Sequence, residues 1–199
     1  MSNYHNAMAT NFQFNTECHD NCFNVSFSGI YPQNKIERVF NCSENPTDQW
    51  IQFNIPEIVD IPSQKPDIED IVSIHSCIQL ISQRVVYTPT VTGYRRFDGV
   101  YIPGNNISNS EGTRLTGKKL IIEGLLKQKI VYTALMENQP LHSASFDVPF
   151  SVFIIVDGTV PVTQSFNISP YIEDIYTCVL STRSVFKNTT IFIKASQVC

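Results

Sequence analysis

Charge is scarce in this chain: 14 Lys and Arg against 18 Asp and Glu make only 16% of its 199 residues ionised and leave a formal net charge of -4. That balance offers no counterion-release drive toward nucleic acid. No basic run is longer than Lys118-Lys119 or Arg95-Arg96, so nucleic-acid binding is set aside. Long apolar runs are missing too. The longest, Val148 to Val156, is about half of the roughly 20 residues that span a bilayer, and Pro149 and Ser151 interrupt it; no membrane partner is expected. The first residues have neither the basic start nor the apolar stretch of a secretory signal, which predicts synthesis in a cytoplasm without export by the general route. Helical periodicity is rare along the chain, and the Gly-x-Ser-x-Gly turn that presents a catalytic serine does not occur.

What is present is apolar and β-forming. Hydrophobic residues make up 42% of the chain, enough for the interior of one domain with a lightly charged exterior that favours association. Residues 1–24, rich in Asn, His, Thr and Ser, read as a flexible N-terminal arm. From Val25 onward, over 25–199, segments of Val, Ile, Phe, Tyr and Thr alternate with Gly, Pro and Asn. The pattern predicts strands over Cys22–Gly29, Lys35–Cys42, Trp50–Ile61, Asp70–Thr88, Lys118–Glu123, Leu126–Leu135, Ser143–Val156, Tyr171–Ser181 and Val185–Ser196. In Ser73–Val86, Ile74, Ile78, Leu80 and Val86 occupy even positions and His75, Gln79 and Gln83 odd ones, as in a half-buried strand. The expected fold is all-β: a two-sheet antiparallel β-sandwich, jelly-roll-like, with an extended N-terminal arm. Thr88 to Gly117 reads as a long surface loop with a hairpin through Phe97–Ile102. Two echoes stand out: PDIEDI at Pro66–Ile71 returns as PYIEDI at Pro170–Ile175, and FNIP at Phe53–Pro56 as FDVP at Phe146–Pro149. They are either chance likenesses between strand lead-ins or the mark of a pseudo-symmetric sandwich.

Chemical motifs fail on inspection. Gly112 to Lys119 imitates a phosphate-binding loop, but Lys119 stands where Ser or Thr should hold magnesium and the segment leads into a strand instead of a helix. Cys18, His19 and Cys22 supply half of a zinc site with no second pair. His142, Ser143, Ser145 and Asp147 hold the letters of a hydrolase triad, yet on a strand His142 points away from the other three. Glu69-Asp70 and Glu173-Asp174 could hold a cation or act as paired carboxylates; each follows Pro-x-Ile and precedes a strand, which favours a solvated or salt-bridged sheet edge. Sequons at Asn106 and Asn188 are incidental in an Asn-rich chain without a secretory signal. No catalytic residue, cofactor or metal ligand is expected, and so no enzyme.

The six cysteines disagree with a cytoplasmic origin, since structural disulfides persist in oxidising compartments. Cys18 and Cys22 on the arm, Cys199 at the C-terminus and Cys42 are the candidates for disulfides between subunits, because chain ends can reach across a contact. Cys77 and Cys178 lie inside predicted strands and are weaker candidates, with inert half-buried thiols as the alternative. Their pairing stays open.

IPSQKPDIEDIVS at Ile61–Ser73, RVVYTP at Arg84–Pro89, EGTRLTGKKLIIEGLLKQKIVY at Glu111–Tyr132, HSASFDVPFSVFI at His142–Ile154 and PYIEDIYTCVLSTRSVFKNTTIFIKA at Pro170–Ala195 together resemble the SPOCS domain of sporulation proteins. The likeness runs from about Trp50 to Ala195. It implies a β-rich module of spore coat and envelope proteins without known catalysis, made in the mother cell, deposited on the forespore without export and exposed when the mother cell lyses. That history would reconcile the cysteines with the missing signal. The chain departs from some relatives in having no peptidoglycan-binding LysM module, and it has extra residues around Tyr94–Asn109 and the cysteine-bearing arm. The expectation is a self-assembling structural subunit of the coat, exosporium or an appendage-like fibre. Its partners would be copies of itself and other coat proteins, joined by strand or arm addition and disulfides. A non-catalytic binding module for spore peptidoglycan or a coat protein is the alternative.

Overall fold

Nearly every strand prediction survives in the computed structural model, which describes residues 25–41, 49–106 and 114–198. Along the described chain run β1 (Ser26–Ser28), α1 (Gln33–Asn41), β2 (Gln49–Asp60), β3 (Ile68–Thr90), β4 (Thr92–Phe97), β5 (Val100–Asn106), β6 (Thr116–Ala134), β7 (Leu141–Ile155), β8 (Phe166–Val179) and β9 (Ser184–Gln197). They form a sheet in the order β1-β3-β6-β7, a second in the order β2-β9-β8, and a separate β4-β5 hairpin. The two large sheets face each other. Ile74, Leu120, Ile122, Leu126 and Ile130 from the first meet Val185, Ile191 and Ile193 from the second, all with 0% exposure. Removing such a side chain from water contributes about 1.5–3 kcal/mol each, which is what holds the layers together. The fold is the all-β sandwich expected from the alternation.

Three expectations need correction. Lys35–Cys42 is not a strand: α1 occupies Gln33–Asn41, and Cys42 lies outside the described residues. Pro32 precedes the first turn, where its carbonyl accepts Lys35 N–H at 2.9 Å, and Gln33 Nε2 donates to Glu37 Oε1 one turn on at 2.8 Å. Ile36, Val39 and Phe40 share the i, i+3, i+4 spacing of a helix, a signal outweighed in the strand reading by the β-branched residues. Lys118–Glu123 and Leu126–Leu135 are one strand, because Gly124 does not turn the chain; it makes room for Phe150, whose ring a Cβ there would meet at 2.5 Å. Thr88 to Gly117 is less loop than expected. β3 runs on to Thr90, and the hairpin extends over Thr92–Asn106. It reverses at Asp98 and Gly99, both at positive φ (47° and 79°), the pair a tight right-twisted hairpin turn requires. The arm, residues 1–24, lies outside the described residues.

The two sheets repeat one plan. Read as β3-β6-β7 and β8-β9-β2, each is antiparallel with the middle strand flanked by the strand before it and the strand after it, so that β2, β3, β6 correspond to β7, β8, β9 with the order closing on itself. The PDIEDI echo falls on the corresponding strands β3 and β8 and encodes the same device. Ile68 and Asp70 face Ala134 and Thr133 with Glu69 bulged between them, and Ile172 and Asp174 face Ile191 and Thr190 with Glu173 bulged. FNIP and FDVP lie on the corresponding edge strands β2 and β7 but at different rungs: Phe53 faces Ile191 beside the bulge, whereas Phe146 faces Gln128 far from it.

Candidate assembly edges and buried polar centre

A sandwich of two open sheets has four outer strands, and the two sides of this one are finished differently. On the β3/β8 side the chain covers itself. β1 adds to β3 in parallel, Ser26 opposite Ser73 and Ser28 opposite His75. His75 is held between two hydroxyls, Ser28 Oγ at 2.5 Å from Nδ1 and Ser73 Oγ at 3.1 Å from Nε2. The chain then crosses to the other sheet, where Ile30 bridges Ile172 and Tyr31 N–H donates to the Ile172 carbonyl at 2.8 Å. Gly29 permits the crossing: its φ is 97°, and a Cβ would lie 1.9 Å from the Ser76 carbonyl oxygen. Farther along, the Gln83 side chain acts as a rung of backbone, its Nε2 donating to Phe166 O at 2.7 Å and its Oε1 accepting Phe166 N–H at 3.1 Å.

On the opposite side no described strand pairs with the outer edge of β2 or of β7. The two edges approach each other, with Phe53 of β2 and Phe150 of β7 5.6 Å apart between ring centres. Pro56 and Pro149 sit on these strands, where a residue lacking an N–H is tolerated. Large apolar side chains line them in the open: Trp50 is 54% exposed, Ile58 62% and Leu141 66%. Trp50 also begins an aromatic row across the outer face of the smaller sheet, through Phe192 at 6.0 Å and Tyr171 at a further 6.2 Å to Tyr31 at 5.1 Å.

The sequence candidates scatter. Cys18, Cys22, Cys42 and Cys199 lie outside the described residues. Cys77 is an exposed thiol on β3, in a shallow groove shared with Gly29, Tyr31 and Lys35, while Cys178 is buried with its sulfur 3.8 Å from the Val179 carbonyl. His142 turns inward to stack on Tyr132 at 6.1 Å, whereas Asp147 pairs outward with Lys127 at 3.7 Å, so the triad letters do not converge. Lys118 and Lys119 spend their charge locally: Lys118 Nζ donates to the Val160 carbonyl and Lys119 lies 3.7 Å over the Phe153 ring. Each bulged glutamate takes a glutamine amide, Glu69 from Gln139 at 2.7 Å and Glu173 from Gln52 at 2.9 Å. Among the described residues no group of three His, Cys, Asp or Glu side chains is placed to hold a metal, and no helix is long and apolar enough to cross a membrane.

One cluster escaped the sequence reading. Between the sheets Lys187 of β9, fully buried, lies with Nζ 3.2 Å from Glu57 Oε1 of β2, and Gln128 of β6 donates its Nε2 to the same oxygen. Burial lowers the Lys187 pKa, and the attraction of Glu57 only partly opposes it. The alternations Ile55-Glu57-Val59, Leu126-Gln128-Ile130 and Val185-Lys187-Thr189 each put a polar residue in an inward phase, a signal present in the sequence.

The family described as SipL, SPOCS domain, matches residues 67–180, more than half of the chain. No curated protein matches, and no solved structure does. The matched span starts one residue before β3 and ends one after β8, so β2 and the central β9 extend it to a complete smaller sheet. With that match across the ordered PDIEDI, LTGKKLIIEG and PYIEDI segments, the chain belongs to the SPOCS-domain family of sporulation-associated proteins.

Proposed function

We propose that this protein is a structural building block of the spore surface, in the coat, the exosporium or an appendage-like fibre, that acts without catalysis by joining copies of itself and neighbouring coat proteins. The observation that carries the reading is the asymmetry of the two sides: one is partly covered by the chain's own N-terminal segment, while no described segment pairs with the outer edges of β2 and β7, which lie side by side among exposed apolar residues. Unpaired edges of this kind are templates for strand addition, in which main-chain hydrogen bonds supply the affinity. The addition of β1 to β3 is the same chemistry within one chain, and it starts where the arm ends. Cys18, Cys22, Cys42 and Cys199 then lock contacts between subunits once the mother cell has lysed and the surroundings are oxidising. Neither nucleic acid nor membrane is a partner.

Electron microscopy of the recombinant protein, with denaturing gels run with and without reductant, tests this. Fibres or sheets, and ladders that collapse to monomer on reduction, are the expected result; monomer in both lanes and featureless grids would overturn it. Trp50, 54% exposed and backed by the buried Phe192, favours a second reading, a module that stacks on spore peptidoglycan or seats a coat partner. Retention of the monomer on purified cortex, lost in a Trp50→Ala variant, would select it.

A further inference from the structure

We infer that Lys187 and Gln128 become joined by an amide bond through the core of the sandwich, with Glu57 carrying the protons. Glu57 Oε1 holds both reacting groups, Lys187 Nζ at 3.2 Å and the Gln128 side-chain amide by a hydrogen bond. The three residues come from three strands and from both sheets, so the bond would tie β6 to β9 across the core. It concerns the inside of one chain and is independent of how copies associate.

Two features of the site favour reaction over a resting ion pair. First, the cluster is poorly satisfied as it stands: Glu57 Oε2 and Gln128 Oε1 have no hydrogen-bond partner among the described residues, and neither do the nearby Ser76 Oγ and Thr189 Oγ1, while Lys187 Nζ has three donors and the one contact to Glu57 Oε1. Each buried orphan costs about 1–3 kcal/mol, and a buried ion pair repays its desolvation only with good geometry and full hydrogen bonding. An amide removes the lysine's charge and leaves its nitrogen a neutral N–H with a single proton to place. Second, burial favours the neutral amine, which is the nucleophile.

The step balances without a co-reactant. Lys187 passes one ammonium proton to Glu57, and the freed Nζ lone pair forms a bond to Gln128 Cδ. Ser76 stands opposite Gln128 in the β3-β6 ladder, where its hydroxyl can donate to the oxygen on which negative charge develops. Glu57 delivers its proton to Nε2 as the Cδ–Nε2 bond breaks, then takes the second proton from Nζ. Ammonia leaves as the neutral molecule, and Glu57 keeps that second proton as an uncharged acid, so no unpaired charge is left in the core. Nothing is oxidised or reduced.

The test is the intact mass of the recombinant full chain, denatured and with its thiols reduced, followed by peptide mapping. The expected mass is short by one ammonia, with a branched peptide that joins the segments holding residues 128 and 187 and resists trypsin at Lys187. Glu57→Gln and Lys187→Met chains should show their full calculated masses. A wild-type chain of full mass, with the two segments in separate peptides, overturns the proposal whether or not either variant folds.

Discussion

Arg84 grips Glu123 with both arms of its guanidinium, at 2.8 and 2.9 Å, and Ser82 adds a hydroxyl hydrogen bond at 2.6 Å. These partners, Arg84 foremost, hold the Glu123 carboxyl at about 2 against its ordinary 4.5. Arg183 and Thr182 lower Asp67 in the same way, while the Arg183 guanidinium also reaches the Ile61 and Pro62 carbonyls and pins the β2–β3 connection to the β8–β9 turn. A carboxyl whose pKa is lower folded than unfolded binds fewer protons when folded. Its contribution is therefore complete above the unfolded value and is lost as pH falls through the folded one. The melting temperature should decline as pH drops from 4.5 toward 2, and Glu123→Gln should flatten part of that decline. An unchanged acid limb would mean that other carboxylates cause it. Both pairs face solvent, so added salt should weaken the effect. In the core, Leu126→Ala should cost about 3 kcal/mol, read as a lower urea midpoint at unchanged slope. The inward phase of Glu57, Gln128 and Lys187 was legible residue by residue, in alternation with Ile55, Leu126 and Val185. Their meeting was not, because it depends on the register of strands from two sheets.

Strand existence was written in the alternation, but phase was not, and bulges are the reason. Ile68, Ile71 and Ile74 are all buried at a spacing of three, since Glu69 and Val72 are each squeezed out of the ladder between them. The bulge at Ile81 flips the phase again, so Val85, 6% exposed, points inward where a strict period of two selects Val86. Local propensity misled at α1 for a related reason: β-branched and aromatic residues favour strands, while the proline ahead of them starts a helix. The crossing of β1 from one sheet to the other rests on Gly29, a residue whose conformation no periodicity reveals. Gly29→Ala should release Ser26–Tyr31 from β3 and β8 and leave the sandwich folded, because the core residues belong to later strands. Amide exchange should then accelerate in that segment alone; protection unchanged at Tyr31 would show that the crossing tolerates a side chain.

At the scale of the molecule there are two copies of one three-strand plan, and the N-terminal segment breaks their equivalence by covering part of one side. Among the described residues β2 and β7, one from each sheet, are the outer strands along which no segment is laid, and strand addition would use at least one of them. Ile58 lies near the C-terminal end of β2, 62% exposed and opposite Phe186 of β9, so a substitution there opens no cavity. Lysine on an edge strand is a natural deterrent to further pairing, because a second strand laid alongside would have to cover its charge. Ile58→Lys should thus leave the melting temperature of the monomer close to the parent's, as surface changes shift stability by only about 0.5 kcal/mol, while shortening or abolishing the fibres. Val162→Lys is the matched control: Val162 is 40% exposed and lies in the turn between β7 and β8, on no strand. Loss of assembly in the first variant but not the second, read by electron microscopy and size exclusion, assigns the contact to β2. Equal assembly in both moves it to β7, where Leu141→Lys repeats the test, and fibres that survive all three substitutions would remove sheet edges from the account.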